Sequence, residues 1–485
     1  MGALVAIISK HGGNVVQEAI KMLKTLRHRG ADLYGMSTGK ETIITRDINE
    51  LSRLLHVESS VVLGYNFNWS LLDDVPQPIE AKDFTMIFDG KMFSPRINKG
   101  EIIHLMMQNG DIEGSIKNFI RRVRGSFSFI ILKDNRLFVG RDPMGTVPLY
   151  FCEGQNFYAL ASERKALWLL GVENEHVKSF PPGNLAEISS GGMRIQPVKV
   201  LERKKIKEID EEEALKKICS LLFRSVKEKS IGLDRVSIAF SGGLDSSIIA
   251  TIVGRFVKDV LLISVGLEGS RDLEDAERIA GEISLPFRAE TYTINDVEET
   301  LPKVLWLIEE ANALRAAICI PEFWLAEKSF KMGYRAIFSG QGSDELFAGY
   351  YKYLRNYSES LSSVEANLYY DTLRLHKISL EPEEKICKFH NVEVRFPYVD
   401  YDLASFALSL PVTQKISSSN DPLRKRILRK LAEHIGLPLE VYLKPKKAIQ
   451  YGTGVSQALR KIAKKNGINV QSLINQVFKS IEWFK

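Results

Sequence analysis

Two glycine-rich stretches hold the residues whose types and spacing could do chemistry. The first is Ser241-Gly242-Gly243-Leu244-Asp245-Ser246-Ser247, set between two apolar runs. Paired glycines permit positive φ and let a ligand come close to backbone N–H groups. Ser241, Ser246 and Ser247 add hydroxyl donors, and a helix from Ser246 onward would point its N-terminus at the loop, which favours an anion. Asp245 brings a negative charge to that same anion site, which is costly unless Mg²⁺ bridges carboxylate and phosphate. The lysine of GxxxxGK[ST] is missing, so the loop is not a Walker P-loop. The second stretch, Ser339-Gly340-Gln341-Gly342-Ser343-Asp344-Glu345, repeats the logic with two glycines and two carboxylates. Either alone could be a plain strand-to-helix turn. Two of them on strand ends of one sheet point to bound phosphate.

Such loops need a frame. Around them the pattern alternates: a helix marked by Leu215, Ile218, Leu222 and Val226, a strand at 235–240, a helix at 246–256, a strand at 260–267, a helix at 272–283 and a strand at 335–338. This is the βαβ rhythm of a doubly wound parallel sheet, whose ligands bind beyond the carboxyl ends of the strands. The first part of the chain reads differently. Asn14–Arg27 reads as a helix capped by Asn14, followed by strands at 61–64, 84–88, 126–132 and 136–139, the last two joined by a Lys-Asp-Asn turn. Short strands with few helices indicate an α+β layered domain. The seam between the parts runs from about Met193 to Glu213, and a division near residue 203 gives domains 1–203 and 204–485.

Composition excludes several classes. The 485 residues carry 66 basic and 60 acidic side chains, a mild excess without the concentrated basic face of a nucleic-acid binder. Cys152, Cys219, Cys319 and Cys387 lie far apart, which rules out a zinc cluster or a disulfide scaffold and fits a reducing, cytoplasmic setting. No apolar stretch is long enough to span a membrane. The apolar start, Met1 to Ile8, lacks the basic head and cleavage site of a signal peptide, and Ala6 stands where a myristoylation motif wants Ser or Thr.

The SGGLDSS loop resembles the pyrophosphate loop of the ATP-pyrophosphatase ligases, and with the second loop it resembles the asparagine synthetase family, whose second loop usually reads SGEGSDE. Further matches are the segment from Val392 to Asp400 (VEVRFPYVD), Lys444-Pro445-Lys446-Lys447-Ala448, Arg27-His28-Arg29-Gly30-Ala31-Asp32, Arg124-Gly125-Ser126-Phe127, Gly140-Arg141-Asp142-Pro143-Met144-Gly145, Pro148-Leu149-Tyr150, Ala161-Ser162-Glu163 and Pro182-Gly183. The resemblance covers nearly the whole chain. It implies an N-terminal-nucleophile-like, class II glutaminase domain that releases ammonia, followed by a synthetase domain. The latter would use ATP and Mg²⁺ to adenylate aspartate, release pyrophosphate and let ammonia displace AMP. Carried over residue by residue, Asp245 would hold Mg²⁺ and pyrophosphate with Ser241, Gly242, Gly243 and Ser246, and Asp344 would be a second acid there. Ala239, Val265, Ser339 and Gly340 would line the nucleotide, Lys446 would meet the phosphate charge, and Arg315 would face the acceptor carboxylate.

The departures from the family pattern cluster. Gly2 stands where the glutaminase needs its nucleophilic cysteine, and glycine has no side chain to form a thioester. Phe67 aligns near the arginine for the glutamine carboxylate, Asp89-Gly90-Lys91 replaces Asn-Gly-Glu, and Lys99 aligns near the aspartate for the glutamine amine. These four changes imply a domain that folds but no longer binds glutamine. In the synthetase half, Gln341 replaces a glutamate at a candidate catalytic position and cannot serve as a carboxylate base, and Asn312-Ala313 replaces a Thr-Thr pair. The expectation is an ATP-dependent amide ligase acting on small molecules, supplied by free ammonia or a separate ammonia-producing partner, and possible as a homodimer. Two alternatives stay open: a ligase for another carboxylate, similar to β-lactam synthetase, and a non-catalytic nucleotide-binding protein.

Overall fold

The computed structural model describes residues 2–69, 75–95, 101–103, 105, 111–445 and 449–483. The chain divides into two compact units, Met1–Val200 with the chain end from Glu482, and Leu201–Ile481.

In the first unit the apolar start of the chain is a strand, Gly2–Ser9, with every residue buried. It runs antiparallel between Phe157–Ala161 and Val61–Phe67 inside a seven-stranded sheet. Its side chains alternate between two cores. Val5 and Ile7 pack with Val16, Ala19 and Leu23 of the helix Val16–Thr25, while Leu4, Ala6 and Ile8 pack with Ile87, Ile130 and Val139 of a second, six-stranded antiparallel sheet. Ile116, Phe119 and Ile120 of the helix Ile112–Arg122 cover the outer face of that second sheet. The result is a helix–sheet–sheet–helix sandwich. Burial on both faces explains why Gly2–Ser9 shows no polar alternation and so is not betrayed by period two.

Several sequence-derived boundaries move. The first helix starts at Val16 rather than Asn14, although Asn14 Oδ1 still accepts from the N–H groups of Val16 at 3.2 Å and Ser59 at 3.3 Å. The hairpin turn holds Asp134 and Asn135 at φ 50° and 54°, the left-handed pair that short polar side chains tolerate. Residues at the start of the supposed seam form a strand, Gly192–Pro197, paired with Asn184–Ser189.

The second unit is built on five parallel strands: β1 (Arg235–Ala239), β2 (Asp259–Leu267), β3 (Phe287–Tyr292), β4 (Ala336–Phe338) and β5 (Glu393–Arg395). Their order is 3-2-1-4-5, a doubly wound sheet whose direction of winding reverses between β1 and β4. Helix α1 (Leu244–Val253) follows β1. Helix α2 (Ala313–Lys331) leads into β4, α3 (Ser343–Phe347) follows it, and α4 (Glu381–Phe389) precedes β5. Leu261, Ile263 and Val265 of β2 pack with Ile320 and Trp324 of α2 and Leu459 and Ile462 of a later helix, Val455–Lys465. A doubly wound sheet opens a crevice where its winding reverses. Both glycine-rich loops leave the strands that flank that point.

Candidate functional site

Residues Ser241–Ser247 leave the carboxyl end of β1, and Ser339–Glu345 leave that of β4. Gly242 takes φ +63°, and a Cβ there would stand 2.9 Å from the Ala276 Cα, so the loop closes onto the neighbouring helix only with glycine. Ser241 Oγ accepts from the Gly243 N–H at 3.3 Å and lies 3.2 Å from Ser246 Oγ, which stiffens the loop. Gly243 caps α1, so the free N–H groups of its first turn sit at the loop. Ala239 ends β1, half-buried, and Val265 lies buried in β2. Ser339 is buried and its N–H donates to the Arg395 carbonyl at 2.9 Å, which ties the second loop to β5. The loops touch: a Cβ on Gly340 would lie 3.4 Å from the Asp245 Cβ.

The two acids converge on one cation. Lys425, only 2% exposed, sets its Nζ 2.7 Å from both Asp245 carboxylate oxygens, 2.5 Å from Asp344 Oδ1 and 2.9 Å from Ser343 Oγ. Two carboxylates facing one point are a hard-oxygen donor set of the kind Mg²⁺ accepts together with phosphate. Lys425 gave no signal in the sequence, where Arg424-Lys425-Arg426 reads as a solvated basic run. Its placement follows from the preceding turn. Asp421 Oδ1 accepts from the N–H groups of Leu423 and Arg424, and Arg424 and Lys425 then take φ 53° and 52°, swinging the lysine inward. Glu345 does not join the acids, because it accepts from the Tyr350 hydroxyl at 2.6 Å.

The remaining synthetase residues divide. Gln341 turns from the loop to a buried glutamate of α2, donating from Nε2 to Glu322 Oε1 at 3.1 Å. Arg315, in the first turn of α2, pairs with Glu310 and donates to the Lys377 carbonyl at 3.1 Å. Asn312 is the N-cap of α2, its Oδ1 taking the Arg315 N–H at 3.0 Å. Lys446 lies outside the described residues.

In the first unit, the place of the expected nucleophile is filled. A Cβ added to Gly2 would lie 2.1 Å from the Asn66 carbonyl oxygen and 2.4 Å from Tyr65 Cζ. Phe67, opposite Gly2 in the sheet, is fully buried and meets Trp69 edge-on at 4.7 Å. The nearby charges satisfy each other. Buried Arg29 donates to the Gly2 carbonyl at 3.2 Å and to Glu163 at 3.1 Å, with Asp89 at 3.7 Å. His28 lies 3.0 Å from Glu163, which Lys165 also contacts. Burial alone would raise the Glu163 carboxyl, but His28, Lys165 and Arg29 together hold it well below the usual carboxylate range. Lys91 is half-buried on the strand Thr85–Ser94, and Lys99 lies outside the described residues.

Comparison with known proteins agrees with this geometry. A family model described as asparagine synthase matches residues 217–364 and 357–468, and one described as a glutamine amidotransferase domain matches 73–168. A Methanocaldococcus jannaschii chain with the provisional name asparagine synthetase [glutamine-hydrolyzing] 1 is 30% identical, over 97% of this chain and 96% of its own. An asparagine synthetase [glutamine-hydrolyzing] of Brassica oleracea is 25% identical, over 90% of this chain and 75% of its own. Among solved structures, an NMN synthetase from Francisella tularensis is 12% identical, over 57% of this chain and 97% of its own, with a TM-score of 0.28. Among the described residues, no helix is long and apolar enough to cross a membrane. The loops at the winding reversal, the converging acids and a likeness spanning almost the full length lead to one assignment: the chain belongs to the asparagine synthase family of amide-forming, ATP-dependent ligases.

Proposed function

We propose that this ligase activates a carboxylate, with L-aspartate the preferred acceptor, as an acyl-adenylate at the β1–β4 crevice, and that free ammonia rather than glutamine supplies the nitrogen. The observation that carries the nitrogen source is at Gly2: the Tyr65 ring and the Asn66 carbonyl occupy the volume that a nucleophilic side chain would need. Without a nucleophile there is no covalent route to ammonia from glutamine.

In the synthetase unit Asp245 and Asp344 would hold Mg²⁺, which would neutralise phosphate charge when bound. Ser241, Gly242, Gly243 and Ser246 would cradle pyrophosphate with backbone and hydroxyl donors, while Ala239, Val265, Ser339 and Gly340 would flank the nucleotide. Lys425 joins this set: it would orient the acids and meet phosphate, alongside Lys446. Arg315 suits the acceptor carboxylate by its planar fork, on exchanging its present partner Glu310 for substrate. A cytoplasmic setting accords with four unpaired cysteines.

The test is exchange of labelled pyrophosphate into ATP, with candidate carboxylates and without any nitrogen source. Aspartate-dependent exchange is expected. Exchange with a different carboxylate and none with aspartate would replace the acceptor, and no exchange with any carboxylate would leave a nucleotide-binding protein. Glutamate release from glutamine above a blank would overturn the ammonia reading.

A further inference from the structure

Behind the second loop, the chain buries two carboxylates that the reading above does not use. Glu322 of α2 is 6% exposed and Glu383 of α4 is 4% exposed. Gln341 links them. Its Nε2 donates to Glu322 Oε1 at 3.1 Å, and its side chain and that of Ser339 lie beside Glu383. Each carboxylate keeps a second oxygen, Glu322 Oε2 and Glu383 Oε2, that is buried and has no hydrogen-bond partner among the described residues. An unsatisfied buried carboxylate oxygen is expensive and calls for a donor.

The pair cannot hold two full charges. Burial first, then the charge of Glu383, raises the Glu322 carboxyl well above its ordinary range, while burial pushes Glu383 up to about 7. Near neutrality the pair therefore keeps a proton rather than two full negative charges. The groups facing the pair are Arg315 and Cys319 on α2 and Cys387 on α4, with Glu384 beside Cys387. Arg315 alone among these brings positive charge, and Glu310 already engages it. A glutamate at position 341 would add a third acid to this corner. A glutamine instead donates to Glu322 and adds no charge beside Glu383, so position 341 and the pair are matched.

The missing donor is thus a small cation rich in N–H groups, next to a loop that leads to the nucleotide crevice. We infer that Glu322 and Glu383 form the ammonium site of this ligase, with Glu383 as proton acceptor. Ammonium displaces the proton that the pair holds, which leaves to solvent, and donates to Glu322 Oε2 and Glu383 Oε2. One N–H bond then breaks, its electron pair stays on nitrogen, and the proton passes to Glu383, leaving neutral ammonia free to act as nucleophile. This rests on the ligase reading given above, and the tests separate the two.

The full-length protein and its variants Glu322→Gln and Glu383→Gln are compared in two assays: aspartate-dependent pyrophosphate exchange, which needs no nitrogen, and ammonium-dependent pyrophosphate release. In Glu383→Gln the ratio of the second rate to the first falls by ~10²-fold, the lower end of what a positioned acid–base group supplies. Hydroxylamine, largely unprotonated at neutral pH, restores that ratio. In Glu322→Gln the apparent KM for ammonium rises more than that for ATP. An unchanged ratio, or an equal loss with hydroxylamine, overturns the site while leaving the ligase intact. No exchange by the wild type overturns the ligase reading and the site with it. A measurement on the wild type alone covers the case in which the variants do not fold. In weak buffer near neutral pH, and after subtraction of a protein-free blank for each salt, ammonium chloride displaces the proton that the pair holds and acidifies the solution, whereas sodium chloride at equal concentration does not. Equal responses to the two salts overturn the site.

Discussion

The two units treat their charged residues in opposite ways. Around Gly2, buried Arg29, His28, Lys165, Glu163 and Asp89 are turned on one another, and an aromatic ring and a carbonyl fill the remaining space. Around Asp245, two acids from the turns after different strands both contact Lys425, and the loop glycines leave backbone N–H groups facing the crevice. The first arrangement is closed: these five charges are paired with one another. The second pairs its acids through one lysine that a ligand could displace. On the ammonia reading proposed above, the family scaffold outlasts one of its two chemistries, because the motifs that build the sandwich differ from the atoms that would meet substrate.

The comparison breaks most sharply at Asp245. Asp245→Asn keeps the shape but removes the charge that would bridge to phosphate, and nucleotide turnover is expected to fall by ~2–4 kcal/mol of transition-state stabilisation, read from kcat/KM. Wild-type turnover in that variant would remove the loop from the site. On the closed side, Gly2→Cys tests whether the filled volume matters. Its Cβ meets backbone at 2.1 Å, so overpacking is expected to cost ~1–3 kcal/mol in denaturant titration, with no glutaminase gained. Gain of glutamate release at unchanged stability would show that the space is not truly occupied.

Two smaller effects sharpen the reading of the acceptor end. Arg315→Ala is expected to raise the apparent KM for the acceptor more than that for ATP, and equal rises would deny it a specific role. Asn312→Ala removes the α2 cap and is expected to cost ~1 kcal/mol in thermal unfolding, with little change in acceptor KM beyond that. A large and selective KM effect would return Asn312 to the substrate.

The loops and their strands were legible because glycine, serine and aspartate at fixed spacing between apolar runs leave few other structures open. The same reading missed the strand Gly2–Ser9, since a strand buried on both faces has no period to detect. Lys425 was hidden for a different reason. Its site role depends on a turn set by Asp421 and on contact with residues 180 and 81 positions away, and nothing local marks a lysine in a basic run as buried. Glu322 and Glu383 were hidden likewise, each on a separate helix and brought together only where the two helices pack, Phe323 of α2 against Phe389 of α4. Asn312 was visible as a departure from a Thr-Thr pair, but its capping role shows only in the structure, because capping and substrate binding ask for the same polar side chain.

The clasp of Lys425 on Asp245 and Asp344 also bears on how the empty enzyme keeps. Two facing acids would ordinarily repel each other until an ion arrived, and folds built that way come apart in chelator. Here the chain carries its own counter-ion, with its ammonium within 2.7 Å of both acids. Folding would thereby be uncoupled from the supply of divalent metal, and protein treated with a chelator is expected to keep its melting temperature in thermal unfolding.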